Sequence, residues 1–220
     1  DEPFDGYDFS KDVAFHFDAI KFGQWLKEHY CLPRGVKHIQ EDIVDVPTNE
    51  NGVKCLVTKT YSYYADLFID CTGFKSLLLD KTLNEPFESL TDTLPNNSAW
   101  AVRAPYRDRE NELKPYTNCT AIENGWVWNI PLWNRVGTGY VYSDKFVDDE
   151  TALQQFKNHL NREDVNDLEF RNIKMRTGIH KRLFVKNVAA VGLAAGFIEP
   201  LESNGLFSVH EFLIELVRSL

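Results

Sequence analysis

Two carboxylates, Glu199 and Glu202, stand three residues apart in GLAAGFIEPLESNG, positions 192–205. Most of their neighbours are small or apolar. Burying an unpaired carboxylate in such company is costly, so each must reach water or be held for a purpose. After the stretch, Leu206, Val209, Leu213, Leu216, Val217 and Leu220 recur at helical spacing, and before it VKNVAAVGLAAGF reads as a buried strand breaking into small residues. The carboxylates therefore sit where a strand hands over to a helix. A helix start leaves backbone N–H groups free and carries partial positive charge, so it favours an anion or an electron-rich ring edge. Gly192, Ala194, Ala195 and Gly196 lack bulk and let a flat cofactor approach, while Gly205 offers an unobstructed N–H. The chemistry expected is that of a site for something flat beside something negative.

Pro200 fixes the backbone between the carboxylates, and their spacing argues against one shared role. Ser203 or Asn204 is the natural N-cap. Glu202 then reads either as a complement to the helix dipole beside that cap or as a carboxylate kept for chemistry, and the residues alone leave both open. A second constellation is Trp126 and Trp128 in GWVWNIPL. Two apart in a strand, they share one face while Val127 and Asn129 point to the other. They form a flat apolar wall or part of a core.

Other chemistries find no support. The six histidines, at 16, 29, 38, 159, 180 and 210, show no ligand spacing, and no Ser-His-Asp arrangement emerges. Cys31, Cys55, Cys71 and Cys119 lie far apart without a C-x-x-C pair, so they read as reduced, mostly structural thiols and no metal site is expected. Gly137-Thr138-Gly139 sits in a hairpin with no helix after it, which excludes a dinucleotide fingerprint.

The elements that must position these residues follow from periodicity. Asp18 caps a helix carrying Ile20, Phe22, Trp25, Leu26 and Tyr30. VKHI and DIVDV read as short strands, NENG at 49–52 as a reversal, and VKCLVTK and YSYYADLFID as returning strands. Leu67-Phe68-Ile69 looks like a strand buried on both faces, running into Gly73. AWAVRA, YTNCTAI, GWVWNIPL and GTGYVYS are strands joined by short turns, and DDETALQQFKNHL is an amphipathic helix with acidic residues in its first turn.

With 220 residues, 43% of them hydrophobic, the chain can bury a sizeable core. Its net charge of −9 and scattered basic residues argue against nucleic acid or an anionic membrane as partner and favour a small molecule. No signal peptide or membrane-length apolar run is visible, so a cytoplasmic location is the default. The chain opens without Met and stops inside a periodic run, which reads as an internal fragment of a longer protein.

From AFHFDAIKFGQWLKEHYCLPRGVKHI through ADLFIDCTGF to GFIEPLESNG, the chain resembles the middle of a flavin-dependent halogenase of the tryptophan halogenase type. GWVWNIP resembles the family's W-x-W-x-I-P signature, and FIEPLESNG its F-x-E-P-L-E-S-T-G. The resemblance implies a flavoprotein monooxygenase-like fold of glutathione-reductase type (α+β / α/β) with a mixed antiparallel substrate-side sheet, incomplete at both ends. Residues 1–80 would belong to the FAD-binding domain, 81–180 to a β-rich substrate-side region, and 181–220 would return to the FAD-binding domain with the active-site turn and helix. It also implies that reduced FAD (FADH2) and dioxygen oxidise halide to hypohalous acid, which passes through a tunnel to a lysine beside an indole, pyrrole or other electron-rich aromatic.

On the same resemblance, Glu202 stabilises the positive charge as halogen is delivered, and Ser203 links the flavin and substrate sides. Asn204 and Gly205 hold the halide. The family has Thr where Asn204 stands, which leaves the preferred halide open. Ile43, Leu193 and Leu206 would contact the flavin. Trp126, Trp128, Ile130 and Pro131 form the signature, whose indoles keep substrate away from flavin and play a positional part. The family's G-x-G-x-x-G, active lysine and C-terminal substrate-holding aromatics do not occur in these 220 residues. A separate flavin reductase would supply FADH2, and homodimerisation stands open. Two alternatives remain: a monooxygenase of the same fold, disfavoured by W-x-W-x-I-P, and a flavin-fold module that binds without turnover.

Overall fold

Period-two alternation between residues 98 and 142 builds the largest sheet, and apolar runs on either side of it build a second core. The computed structural model describes residues 13–201, 203 and 205–220. In chain order the elements are α1 (Ala19–Trp25), the hairpin β1 (Thr48–Asn49) and β2 (Gly52–Val53), the pair β3 (Leu56–Val57) and β4 (Ser62–Tyr63), then β5 (Phe68–Asp70), β6 (Phe87–Ser89) and β7 (Ser98–Ala104). A short helix α2 (Arg109–Glu112) precedes β8 (Asn118–Ile122), β9 (Gly125–Pro131) and β10 (Val136–Tyr142). Helix α3 (Asp149–Leu160), β11 (Arg171–Lys174), β12 (Gly178–His180), β13 (Phe184–Val185), β14 (Val188–Ala190), β15 (Gly196–Phe197) and α4 (Gly205–Ser219) complete the chain.

The main sheet is antiparallel throughout, in the order β11-β7-β10-β9-β8. Its register places Cys119, Trp128, Gly139 and Ala101 in one row, with Ala121, Trp126, Val141 and Ala99 in the next of the same face. The opposite face carries Val102, Val127, Tyr140 and Tyr142, which α3 covers with Ala152 and Phe156. Asp148 caps α3 by accepting from Thr151 N (2.9 Å). Asp149 then ties the helix to the sheet, accepting from the Tyr142 hydroxyl (2.7 Å) and the Lys174 ammonium (2.6 Å), while its carbonyl accepts from the Trp100 indole (2.8 Å). Burial and the negative Asp149 beside it push the Tyr142 hydroxyl far above its ordinary range.

The second core gathers Phe68, Leu78, Leu79, Val188, Ala194 and Ala195 around the parallel pair β5–β14. Asp70, wholly buried at the end of β5, accepts from Thr72 N and Oγ1 and from the N–H groups of Leu78 and Leu79 at 2.7–3.0 Å. Its carboxylate holds the turn after β5 against the helical turn Leu77–Thr82, as unpaired helix-start donors require.

Several expectations need correction. VKHI and DIVDV form no strands: apart from a bridge between Asp45 and Val57 the segment is irregular, because Pro47 interrupts it and most of its residues face solvent. The double burial expected of Leu67-Phe68-Ile69 fails at Ile69, which is 47% exposed, since β5 has a single strand neighbour among the described residues. Helices α1 and α4 appear where periodicity placed them, and Asp18 caps α1 through Ile20 N and Lys21 N. Their apolar stripes stay largely uncovered within the described residues: Ile20, Phe22, Trp25, Leu206 and Val217 are exposed, and Leu216 alone of the α4 stripe is buried. Two of the four thiols, Cys71 and Cys119, are exposed rather than packed in a core.

Candidate functional site

Strand β9 alternates with the pleat, so Trp126, Trp128 and Ile130 leave the sheet on the face away from α3, as period-two spacing requires. Against them stands the connection from β14 to α4. It passes through a tight turn at Gly192–Ala194, crosses β15, and doubles back at Pro200, whose carbonyl accepts from Ser203 N (3.0 Å). Ser203 has φ +53°, a left-handed conformation uncommon for a residue with a β-carbon and found where surrounding structure enforces it. A cavity of about 310 Å³ lies between the two parts. Trp126, Trp128 and Ile130 line it from the sheet with Thr117 and Cys119, and Phe197, Pro200, Leu201, Ser203, Gly205 and Leu206 line it from the turn.

Most of the sequence-derived site residues therefore meet in one chamber. Pro131 ends β9 beside it with its side chain on the α3 face, where it lines a more polar cavity of about 420 Å³ with Asn129, Arg107 and Arg162. The two indoles do not form a flat wall: their centroids are 6.2 Å apart and their planes cross at 62°, the edge-to-face geometry that aromatic quadrupoles favour. Glu202 and Asn204 lie outside the described residues. Helix α4 begins at Gly205. Among the described residues, and apart from its chain neighbours and its own helix backbone, no atom comes within 4 Å of where a β-carbon on Gly205 would stand.

The expected flavin contacts fall in different places. Leu206 lines the aromatic-walled chamber. Leu193, 42% exposed, projects from the Gly192–Ala194 turn, which packs against α4 close enough that a β-carbon on Gly192 would stand 3.3 Å from Val209. Ile43 lines a separate cavity of about 400 Å³ with Val46, Leu77 and Lys81. Exposed Leu193 and Leu206 suit one face of a flat, mostly apolar ring system and so fit part of a flavin, whereas Ile43 is half-buried and stands apart from them. Among the described residues no group of three or more His, Cys, Asp or Glu side chains could hold a metal ion, and no helix is long and apolar enough to cross a membrane.

Glu199, the other carboxylate of the stretch, is the one enclosed by the turn. It is half-buried, and Oε1 is fully enclosed without a hydrogen-bond partner among the described residues. Burial pushes its carboxyl above the ordinary range, opposed by the nearby Trp126 and Asn96 side chains and the Leu201 N–H. The signal was present in the sequence, a carboxylate between Ile198 and Pro200, but its burial depends on how the turn folds against β9. His16, one of the histidines without ligand spacing, has a packing role. Its ring nitrogens meet the Pro131 carbonyl (2.9 Å) and the Thr117 hydroxyl (3.1 Å), which fastens the segment before α1 to the cavity strand.

The fold is a mix of helices and mainly antiparallel sheets, with an indole-walled chamber at a strand-to-helix turn. The family model for tryptophan halogenase matches residues 7–220, and the chain belongs to that family. It is 41% identical over 207 residues to the 7-chloro-L-tryptophan 6-halogenase KtzR of Kutzneria sp. (strain 744), covering 93% of this chain and 40% of KtzR. Its fold matches the crystal structure of the tryptophan 6-halogenase SttH from Streptomyces toxytricini with a TM-score of 0.87 at 40% identity, covering 92% of this chain and 40% of SttH. It matches BrvH, a flavin-dependent halogenase from Brevundimonas sp. BAL3, with a TM-score of 0.84 at 34% identity, covering 92% and 41%. The chain thus spans about two fifths of the length of these relatives.

Proposed function

We propose that the chain is part of a flavin-dependent halogenase acting on an electron-rich aromatic, with tryptophan or another indole as the leading substrate class. The observation that carries this reading is the single chamber in which the W-x-W-x-I-P indoles face Ser203, Gly205 and Leu206. Family membership and relatives named as tryptophan halogenases support it. Bound FAD, reduced by a separate reductase, supplies with dioxygen the oxidising equivalents that convert halide to hypohalous acid.

The chain's own residues perform the rest. Exposed Leu193 and Leu206, with Ile43 further along, offer apolar contacts to the flavin, and the Gly205 N–H, at the positive end of α4, attracts the halide beside Asn204. Trp126 and Trp128 exclude water from the chamber and keep the aromatic ring apart from the flavin. Ser203, fixed in its turn, couples the two sides. Glu202 stabilises the cationic ring that forms as electrophilic halogen is delivered, and a preorganised charge aimed at that position lowers the barrier. The two hydrophobic cores support assigning 1–80 and 181–220 to a flavin-side unit and 81–180 to a substrate-side unit. The reading is tested by Glu202→Gln in the full-length protein: halogenation should fall by about a hundredfold or more while flavin affinity stays near that of the parent. Undiminished halogenation would remove Glu202 from this role.

A further inference from the structure

The glycine pair in GTGYVYS has no dinucleotide to bind, yet Gly139 stands directly across the β9–β10 ladder from Trp128. Both lie on the chamber face of the sheet. A β-carbon at Gly139 would overlap Cζ2 and Cη2, the far edge of the Trp128 benzo ring, and would stand 2.6 Å from the Trp100 carbonyl oxygen. Residues beyond it in the same row are also small: Cys119 on one side of Trp128 and Ala101 on the far side of Gly139. The indole thus lies down over a strand position stripped of its side chain. Gly137, two residues earlier, has no such conflict, because its nearest neighbours would be 3.7–3.8 Å away.

We infer that Gly139 is a specificity-determining residue: by giving the Trp128 ring a place in the plane of the sheet, it sets how far that ring stands into the chamber and hence the size of aromatic ring admitted. Any β-carbon at 139 drives Trp128 outward into the 310 Å³ space. Removing the benzo ring from position 128 instead opens a slot whose floor is Gly139. The inference deepens the halogenase reading, on which its bearing on substrate choice rests, while the packing relation is independent of turnover.

The test uses Gly139→Ala, Trp128→Phe and the double variant in the full-length protein, with calorimetric binding of indole and of the larger carbazole as probes. Phenylalanine lacks both overlapping atoms. Gly139→Ala should weaken indole binding by at least about tenfold, and Trp128→Phe should strengthen carbazole binding by a similar factor, the scale of a methylene-sized change in an apolar pocket. The double variant should lose the carbazole gain as the methyl refills the slot. If Gly139→Ala fails to fold by far-ultraviolet circular dichroism, recovery of folding in the double variant carries the same conclusion. Equal carbazole affinity in Trp128→Phe and the double variant would overturn it, and so would unfolding of both Gly139→Ala proteins, which would assign the glycine to the Trp100 carbonyl instead. Probe binding that follows this pattern in a protein with no halogenating activity would sink the functional reading and leave the inference standing.

Discussion

At Glu199 an acid has been placed where its charged form is disfavoured. Its folded pKa lies above the unfolded value because burial outweighs the help from Trp126 and Asn96. For an acid shifted in this direction, stability is fully present below the unfolded pKa, about 4.3 for Glu, and is lost as pH rises through the folded value. Glu199→Gln should therefore raise the thermal midpoint relative to the parent at about pH 8 and leave it little changed at about pH 4. Equal shifts at both values would show that the carboxyl is ordinarily ionised in the fold. Four donated hydrogen bonds satisfy the buried carboxyl group of Asp70. Replacing Asp70 by Ala orphans Leu78 N and Leu79 N in the second core, and urea titration should show a loss of at least about 3 kcal/mol.

Among the elements, α3 and β9 do most to define the site, because one fixes the sheet from behind and the other supplies the chamber wall. The Asp148 cap is a separable contribution to α3, and Asp148→Ala should lower the denaturant midpoint of unfolding. Lys174, hydrogen-bonded to Asp149, holds the Asp149 carboxyl below its ordinary range, with the Tyr142 hydroxyl helping. A depressed acid contributes stability above its unfolded pKa and loses it as pH falls through the folded value. Lys174→Met should accordingly move the acid-unfolding midpoint of the α3–sheet unit to higher pH, followed by near-ultraviolet circular dichroism. An unmoved midpoint would show the pair to be as inconsequential as many surface ion pairs.

For the whole molecule, the exposed stripes of α1 and α4 leave apolar surface uncovered within the described residues. The 220 residues alone should self-associate, seen as a concentration-dependent hydrodynamic radius, because apolar patches of this kind seek cover. They should also show no stoichiometric FAD binding by calorimetry, since these residues include no glycine-rich loop for the diphosphate. Tight binding would mean that the turn and Ile43 suffice.

Alternation and capping, which are local, determined most of this from sequence. The strands from 98 to 142, the capped helices α1 and α3, and the placing of both indoles on one face of β9 all follow from periodicities that the backbone imposes on any chain. The two family-like signatures likewise carried the expected chemistry. Tertiary structure alone decided what each periodic stripe meets: that Ile69 and α4 stay exposed, that the indoles cross edge to face, that Glu199 is enclosed, and that Gly139 lies beneath Trp128. Burial and register arise from pairings between residues far apart in the chain, here the turn at 197–206 against β9, and a local pattern contains no record of its distant partner.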